Sequence, residues 1–179
     1  MRGDTSRSTE GNGLGLSIAK SLTELQNGKM DSLFADLYGA EIGEQKVRYI
    51  TLLNTFIGRF GDQKVVITRS PGRVNLMGRH IEHRGGCING MATDKDQVFV
   101  SARRDDDTVR IANVDSEYPD RSFSISETLA LGSNDSWLAY LGSEKVVAAL
   151  KESKGDWSNY VKSAVLRAQF SQDYVLAGM

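Results

Sequence analysis

A single cysteine, Cys87, leaves no partner for an intrachain disulfide and fits a reducing compartment. An excess of one charge is missing too: 22 Lys and Arg against 23 Asp and Glu give a formal net charge of -1. That balance excludes a general electrostatic footprint for nucleic acid or for an anionic membrane. No long apolar run occurs, and no basic start leads into an apolar stretch. Neither a membrane span nor a signal peptide is therefore expected, and cytoplasmic is the default location. The apolar fraction of 40% is low for a globular chain yet compatible with a core. The 179 residues suffice for one ordinary domain, or for one domain with an appendage.

What is present is unevenly spread. Arg2 to Asn12 is polar throughout and reads as loop. A helix is predicted over residues 13–27, with Leu14, Ile18, Leu22 and Leu25 on one face and Asn27-Gly28 as the stop. A second helix is predicted over roughly Glu41 to Phe60, where Tyr49, Leu52, Leu53, Phe56, Ile57 and Phe60 recur at three- and four-residue steps. Then the period changes. Lys64 to Thr68 reads as a buried strand, and Cys87 to Ala92 and Gln97 to Ala102 read as further strands. Arg103 to Asp107 is a polar turn and not a metal site, because three adjacent Asp cannot all face one ion. Val109 and Ile111, then Phe123 and Ile125, mark two more strands. Helical pattern returns from Ser136 to about Leu150, and again from Ser158 to Phe170 with Val161, Ala164, Val165 and Ala168 aligned. Helix, then strands, then helices is an α+β order.

The densest chemistry lies between Arg69 and Gly86, where four Arg, both His, one Glu and four Gly fall within eighteen residues. A strand ending at Pro71-Gly72 and continuing into charged and glycine positions reads as the wall of a polar site. Val74, Leu76 and Met77 inside it argue against a free loop, since they require burial. A second glycine cluster, Gly11-Asn12-Gly13-Leu14-Gly15, leads into the first predicted helix. Backbone amides there would accept an anion such as a nucleotide phosphate, although the Lys and Ser/Thr of a Walker loop are missing.

Two resemblances arise from these motifs. Arg2-Gly3-Asp4-Thr5-Ser6-Arg7, Glu10 to Lys20 and Leu25-Gln26-Asn27-Gly28-Lys29 resemble the last glycine box of sensor histidine kinases. That family's phosphoacceptor histidine, asparagine box and earlier glycine box are not present, so residues 1–29 are expected to be a leftover piece. If they did bind nucleotide, Gly13 and Gly15 would carry it.

From Ser70 to Met77, and on through Gly78, His80, Glu82 and Gly85-Gly86, the chain resembles the sugar-binding signature of galactokinases, within the GHMP small-molecule kinases. The resemblance covers about residues 30–179, including the helix from Leu37-Tyr38-Gly39 onward, Val65-Val66-Ile67 and Trp157-Ser158-Asn159-Tyr160-Val161-Lys162. It implies the amino-terminal half of a GHMP-kinase fold, a mixed or antiparallel sheet with flanking helices. It also implies ATP-dependent phosphorylation of a small-molecule sugar, with Mg2+. Arg73 would sit beside the reacting hydroxyl and favour the developing alkoxide. His80 and Glu82 would contact sugar hydroxyls, and Gly85-Gly86 would let the backbone pass close to the substrate. Trp157 and Tyr160 would contribute to the cofactor site.

Arg79 departs from the family's Glu, and Glu82-His83-Arg84 from its usual Asp-Tyr-Asn. A fixed cation in place of an acceptor inverts the hydrogen-bonding role of that wall. An acidic sugar paired to Arg79 or Arg84 is one expectation. A neutral sugar, with Arg79 paired to Glu82 or a surface Asp, is the other. No Gly-Leu-Ser-Ser-Ser phosphate loop occurs, so the chain is expected to be a truncated kinase or a join of two kinase pieces, inactive alone and prone to aggregate. An ATP-binding fragment of a sensor histidine kinase, resting on residues 1–29, is one alternative, and a non-catalytic sugar-binding module is the other.

Overall fold

The computed structural model describes residues 17–78, 80–171 and 176–179. They fall into two compact units, residues 1–102 and 103–179.

The first unit opens with three helices, α1 (Ile18–Gln26), α2 (Asp31–Tyr38) and α3 (Ile42–Phe60). Ser17 caps α1, its hydroxyl accepting the Lys20 N–H at 3.4 Å. The Asp62 carboxylate takes the Ile18 N–H at 3.0 Å and ties the start of α1 to the end of α3. Helix α3 buries Gln45, Tyr49 and Leu53 at four-residue steps; Tyr49 and Leu53 belong to the stripe its sequence predicts, and Gln45 extends it by one turn. It stops at Gly61, whose φ of +81° suits glycine and whose N–H donates to Ile57 O at 2.9 Å. Ile18, Leu25, Phe34, Tyr38, Tyr49, Leu53, Val65 and Ala102 form one core. Helix α1 is thus part of the packing of this unit. Helix α2 is not among the elements the sequence predicts; the helix expected from Leu37-Tyr38-Gly39 onward is α3, which begins at Ile42.

Two strands complete the unit: β1 (Val66–Met77) and β2 (Asn89–Ser101), paired antiparallel. Here three expectations are corrected. Strand β1 does not end at Pro71-Gly72 but runs on to Met77. A two-stranded ribbon has an open edge on each strand, where a missing proline N–H leaves no ladder bond unmade. The stretches 87–92 and 97–102 are not separate strands but one continuous β2, bent between Ala92 and Asp96. Val74, Leu76 and Met77 are exposed, at 44%, 55% and 69%. The inner half of the ribbon packs Ile67, Val98 and Val100 on the helices, and no layer among the described residues covers its outer half.

In the second unit, β3 (Thr108–Ile111) and β4 (Arg121–Ser124) pair antiparallel and are followed by α4 (Ile125–Leu129), α5 (Trp137–Gly142), α6 (Glu144–Glu152) and α7 (Ser158–Ser171). Val109, Phe123, Ile125, Val165 and Leu166 make its core. Ile125 begins a helix instead of closing a strand, because the Ser124 hydroxyl accepts the Glu127 N–H at 3.1 Å as an N-cap. The helix expected from Ser136 to Leu150 is two helices that meet at Ser143, which is extended at ψ 136° and ends one as it starts the other. Arg121 from β4 and the Ser158 N–H both donate to Asp156, at 2.8 and 2.9 Å. Bonds from Ser158 and Arg121 hold that carboxyl down at about 2. The fold class is α+β, with small antiparallel sheets and flanking helices, as expected.

Candidate functional site

The eighteen-residue motif builds a hairpin. Strand β1 delivers Arg69 and Arg73, and residues 78–88 turn the chain back into β2. The turn is pinched at its neck. Gly78 has φ +81°, and a Cβ there would lie 2.3 Å from Cys87 O, so only glycine fits. Beyond the neck, the Arg84 and Gly86 N–H groups both donate to Ile81 O at 3.0 Å, closing a short 3-10 turn over Glu82–Arg84.

Arg73 is exposed on β1 opposite Ala92. Its stem runs beside Gly90, where a Cβ would meet Arg73 Cδ at 3.5 Å. His80 is exposed, with φ +62°, and among the described residues no other non-glycine has positive φ. Arg84 and Gly85 are exposed, and Gly85 has φ +80° with open space beside it. At Gly86 a Cβ would meet Ile81 at 2.8 Å, so this glycine makes room for a neighbouring side chain of its own loop. Glu82 starts the 3-10 turn. The structure therefore brings Arg73, His80, Glu82, Gly85 and Gly86 onto one hairpin. Arg79, and Gly13 and Gly15 of the first glycine cluster, lie outside the described residues.

Trp157 and Tyr160 belong to the second unit, at the start of α7. The Trp157 indole donates to Pro119 O at 3.0 Å and meets the Tyr118 ring edge-on at 6.1 Å, so it is engaged in its own unit. Tyr160 is 84% exposed. A cavity of about 450 Å³ in this unit is lined by Trp137, Tyr140, Val146, Leu150, Lys162 and Leu166, and by neither Trp157 nor Tyr160. Among the described residues no group of three or more His, Cys, Asp or Glu could hold a metal ion. No helix among them is long and apolar enough to cross a membrane.

Sequence reasoning missed the most heavily bonded charged group in the first unit. Asp96 has a fully buried side chain. Its carboxylate accepts from Arg48 Nη1 at 2.5 Å, from Tyr38 Oη at 2.7 Å and from Arg69 Nε. Its carbonyl accepts from Arg48 Nη2 at 2.9 Å. The Arg69 guanidinium also stacks 5.1 Å from the Tyr38 ring centre, and Tyr38 shares a 2.8 Å hydrogen bond with Tyr49. Burial works against the charge of Asp96, but the bonds from Arg48, Tyr38 and Arg69 outweigh it and hold the carboxyl below its ordinary range. Burial, then the bond to Tyr38, push the Tyr49 phenol far above its ordinary value. A sequence signal for this cluster exists: Asp96 is in phase with Val98, Val100 and Ala102, and Arg69 with Val65 and Ile67, so both side chains start on the inward face.

Comparison with known proteins bears on the same hairpin. Residues 54–103 match the galactokinase galactose-binding signature. The chain is 27% identical over 125 residues to a galactokinase of Schizosaccharomyces pombe, covering 70% of this chain and 21% of that protein. It is 31% identical over 120 residues to a galactokinase of Candida parapsilosis, covering 65% and 24%. Over 84 residues it is 32% identical to a galactokinase of Dictyostelium discoideum, covering 45% and 17%. No solved structure matches. The chain spans less than a quarter of the length of these curated relatives, and its likeness to them is that of a galactokinase-like sugar kinase segment.

Proposed function

We propose that this chain carries the sugar-binding segment of a galactokinase-like sugar kinase. The observation that supports this most is the signature match over residues 54–103, which takes in β1, the pinched turn and β2 together. In this reading Arg73 faces the hydroxyl that is to be phosphorylated, and its fixed charge favours the developing alkoxide. His80 and Glu82 hold sugar hydroxyls, while Gly85 and Gly86 keep the turn low enough for substrate to approach. ATP and Mg2+ belong to the whole kinase. This chain has no Gly-Leu-Ser-Ser-Ser loop, so we expect it to bind sugar without turnover.

Within the same reading the sugar is acidic. Arg79 and Arg84 replace an acceptor and a neutral amide of the galactokinase pattern, and two guanidinium groups suit a carboxylate better than a hydroxyl. Isothermal titration of the chain with galactose and galacturonate tests both levels. Galacturonate is expected to bind more tightly, and Arg84→Gln to weaken it by about tenfold or more, the worth of one charge-assisted hydrogen bond. Binding of galactose alone sinks the acidic-sugar reading and leaves the sugar site. Binding of neither sugar overturns the proposal.

For residues 1–29 the burial of Ile18 and Leu25 supports a packing role over a nucleotide site. Nucleotide binding lost in Gly13→Ala and Gly15→Ala variants would reverse that preference.

A further inference from the structure

We infer that Asp96 is a positioning residue for the sugar hairpin. It pins the register of β2 against β1 beside Arg73, and so decides which side chains flank that arginine. The inference rests on the sugar-site reading above for its functional half and on the ribbon geometry alone for its structural half.

The ribbon changes step twice, between Pro71 and Arg73 and again between Asn75 and Met77, and the first of these is the larger. Pro71 pairs with Asp96 and Arg73 with Ala92, so Thr93, Asp94 and Lys95 stand opposite Gly72 alone. This bulge folds over the bare Gly72, where a Cβ would meet Thr93 Oγ1 at 2.6 Å and Lys95 O at 3.1 Å. A bulge stays where something fixes it. In most sheets the buried face does so, since a one-residue slip turns every apolar side chain outward. Outside the bulge that restraint is missing, because Val74, Leu76, Met77 and Met91 are all exposed whatever the register.

Asp96 supplies the restraint at the inner edge of the bulge. Its bonds reach β1 through Arg69, α2 through Tyr38 and α3 twice through Arg48. Three separate elements thus fix one residue of β2, directly after the three that bulge. Outward of the bulge lies the Ala92–Asn89 segment, which carries Gly90 against the Arg73 stem. If the bulge moved by one residue, Met91 or Asn89 would take the place of Gly90. A side chain would then press on the Arg73 stem, where even a Cβ comes within 3.5 Å of Cδ, and the turn bearing His80 would shift with it.

The test uses the full chain. Cross-strand proton contacts are read by NMR at Arg73–Ala92 and Val74–Met91 outside the bulge, and at Arg69–Val98 inside it. Galactose and galacturonate binding are measured on the same samples, at a temperature where each variant is folded. In Asp96→Asn the Arg69–Val98 contact is expected to persist. The two outer contacts should disappear or move by one residue, and affinity for the bound sugar should fall tenfold or more. A purely structural role lowers only the melting temperature, so unchanged outer contacts with unchanged affinity overturn the inference.

If Asp96→Asn does not fold, Arg48→Gln decides. It removes two of the bonds to Asp96 from a side chain that is 39% exposed. Doubled Arg73 and Ala92 signals are expected in that variant, and a single native register refutes the pin. A wild-type chain that binds neither sugar removes the functional half, while the contacts still judge the register.

Discussion

Replacing Leu25 by alanine tests whether α1 is an integral part of the first unit. Leu25 is 1% exposed and shares a core with Ile18, Phe34 and Leu53. The change removes three carbons, at about 0.8 kcal/mol each for transfer from water. The cavity left behind adds to this, for a total of about 3 kcal/mol, inside the usual range for such truncations. An ordinary domain is stable by about 5–15 kcal/mol, so a large part of the margin would go. In urea, with a slope of about 2 kcal/mol per molar, the midpoint should fall by about 1.5 M. Far-UV circular dichroism follows the transition, because α1–α3 supply most of this unit's regular structure. Thr23→Ala is the control on the same helix. Thr23 is exposed and its hydroxyl donates back to Ala19 O at 2.9 Å, and its removal should leave the midpoint within about 0.3 M, since exposed substitutions stay near zero. If Leu25→Ala moves the midpoint no further than Thr23→Ala does, α1 is an appendage and the core assignment of this unit is wrong.

Within the first unit, acid sensitivity is expected to centre on Asp96, whose carboxyl is held below its ordinary 3.8 in the folded state. A depressed folded value contributes stability that is complete above the ordinary carboxylate range and is lost as pH falls through the folded one. Urea midpoints at about pH 5 and about pH 2 should therefore differ more for the wild type than for Asp96→Asn, and equal differences would refute this. Gly78→Ala should destabilise the first unit clearly more than Gly85→Ala. Both have positive φ, but only at Gly78 does a Cβ collide with backbone, 2.3 Å from Cys87 O, whereas Gly85 faces open space. The left-handed penalty alone is about 1 kcal/mol, so thermal melts giving Gly78→Ala no more than that would contradict the pinched neck.

Long periodic segments were the most legible. Helix α3 was expected at 41–60 and runs Ile42–Phe60, and α7 was expected at 158–170 and runs Ser158–Ser171. Their apolar stripes repeat over several turns, so one misread residue changes little. The hairpin was harder because its outer half breaks the rule that apolar residues are buried. Val74, Leu76 and Met77 sit on a ribbon that nothing described covers, and no pattern in a strand reveals how many layers lie against it. Ser143 was unreadable for a different reason: the apolar pattern of α5 and α6 runs across it, and only the local cap separates them. Of the candidate site, the motif placed Arg73, His80, Glu82, Gly85 and Gly86 together on its own. Asp96 was missed because Asp94-Lys95-Asp96 reads as a solvated charge run when its phase with Val98 and Val100 is ignored.

The aromatic residues give the molecule a built-in optical division. Both tryptophans, Trp137 and Trp157, belong to the second unit, where Trp137 lies stacked 5.3 Å from Tyr140 and is met edge-on by Phe170. The first unit has no tryptophan, and its two tyrosines, Tyr38 and Tyr49, are buried in its core. Light chosen to excite only indole therefore watches one unit and is blind to the other. A denaturation curve recorded that way measures residues 103–179, and a sugar that binds the hairpin could leave it unchanged while still being bound.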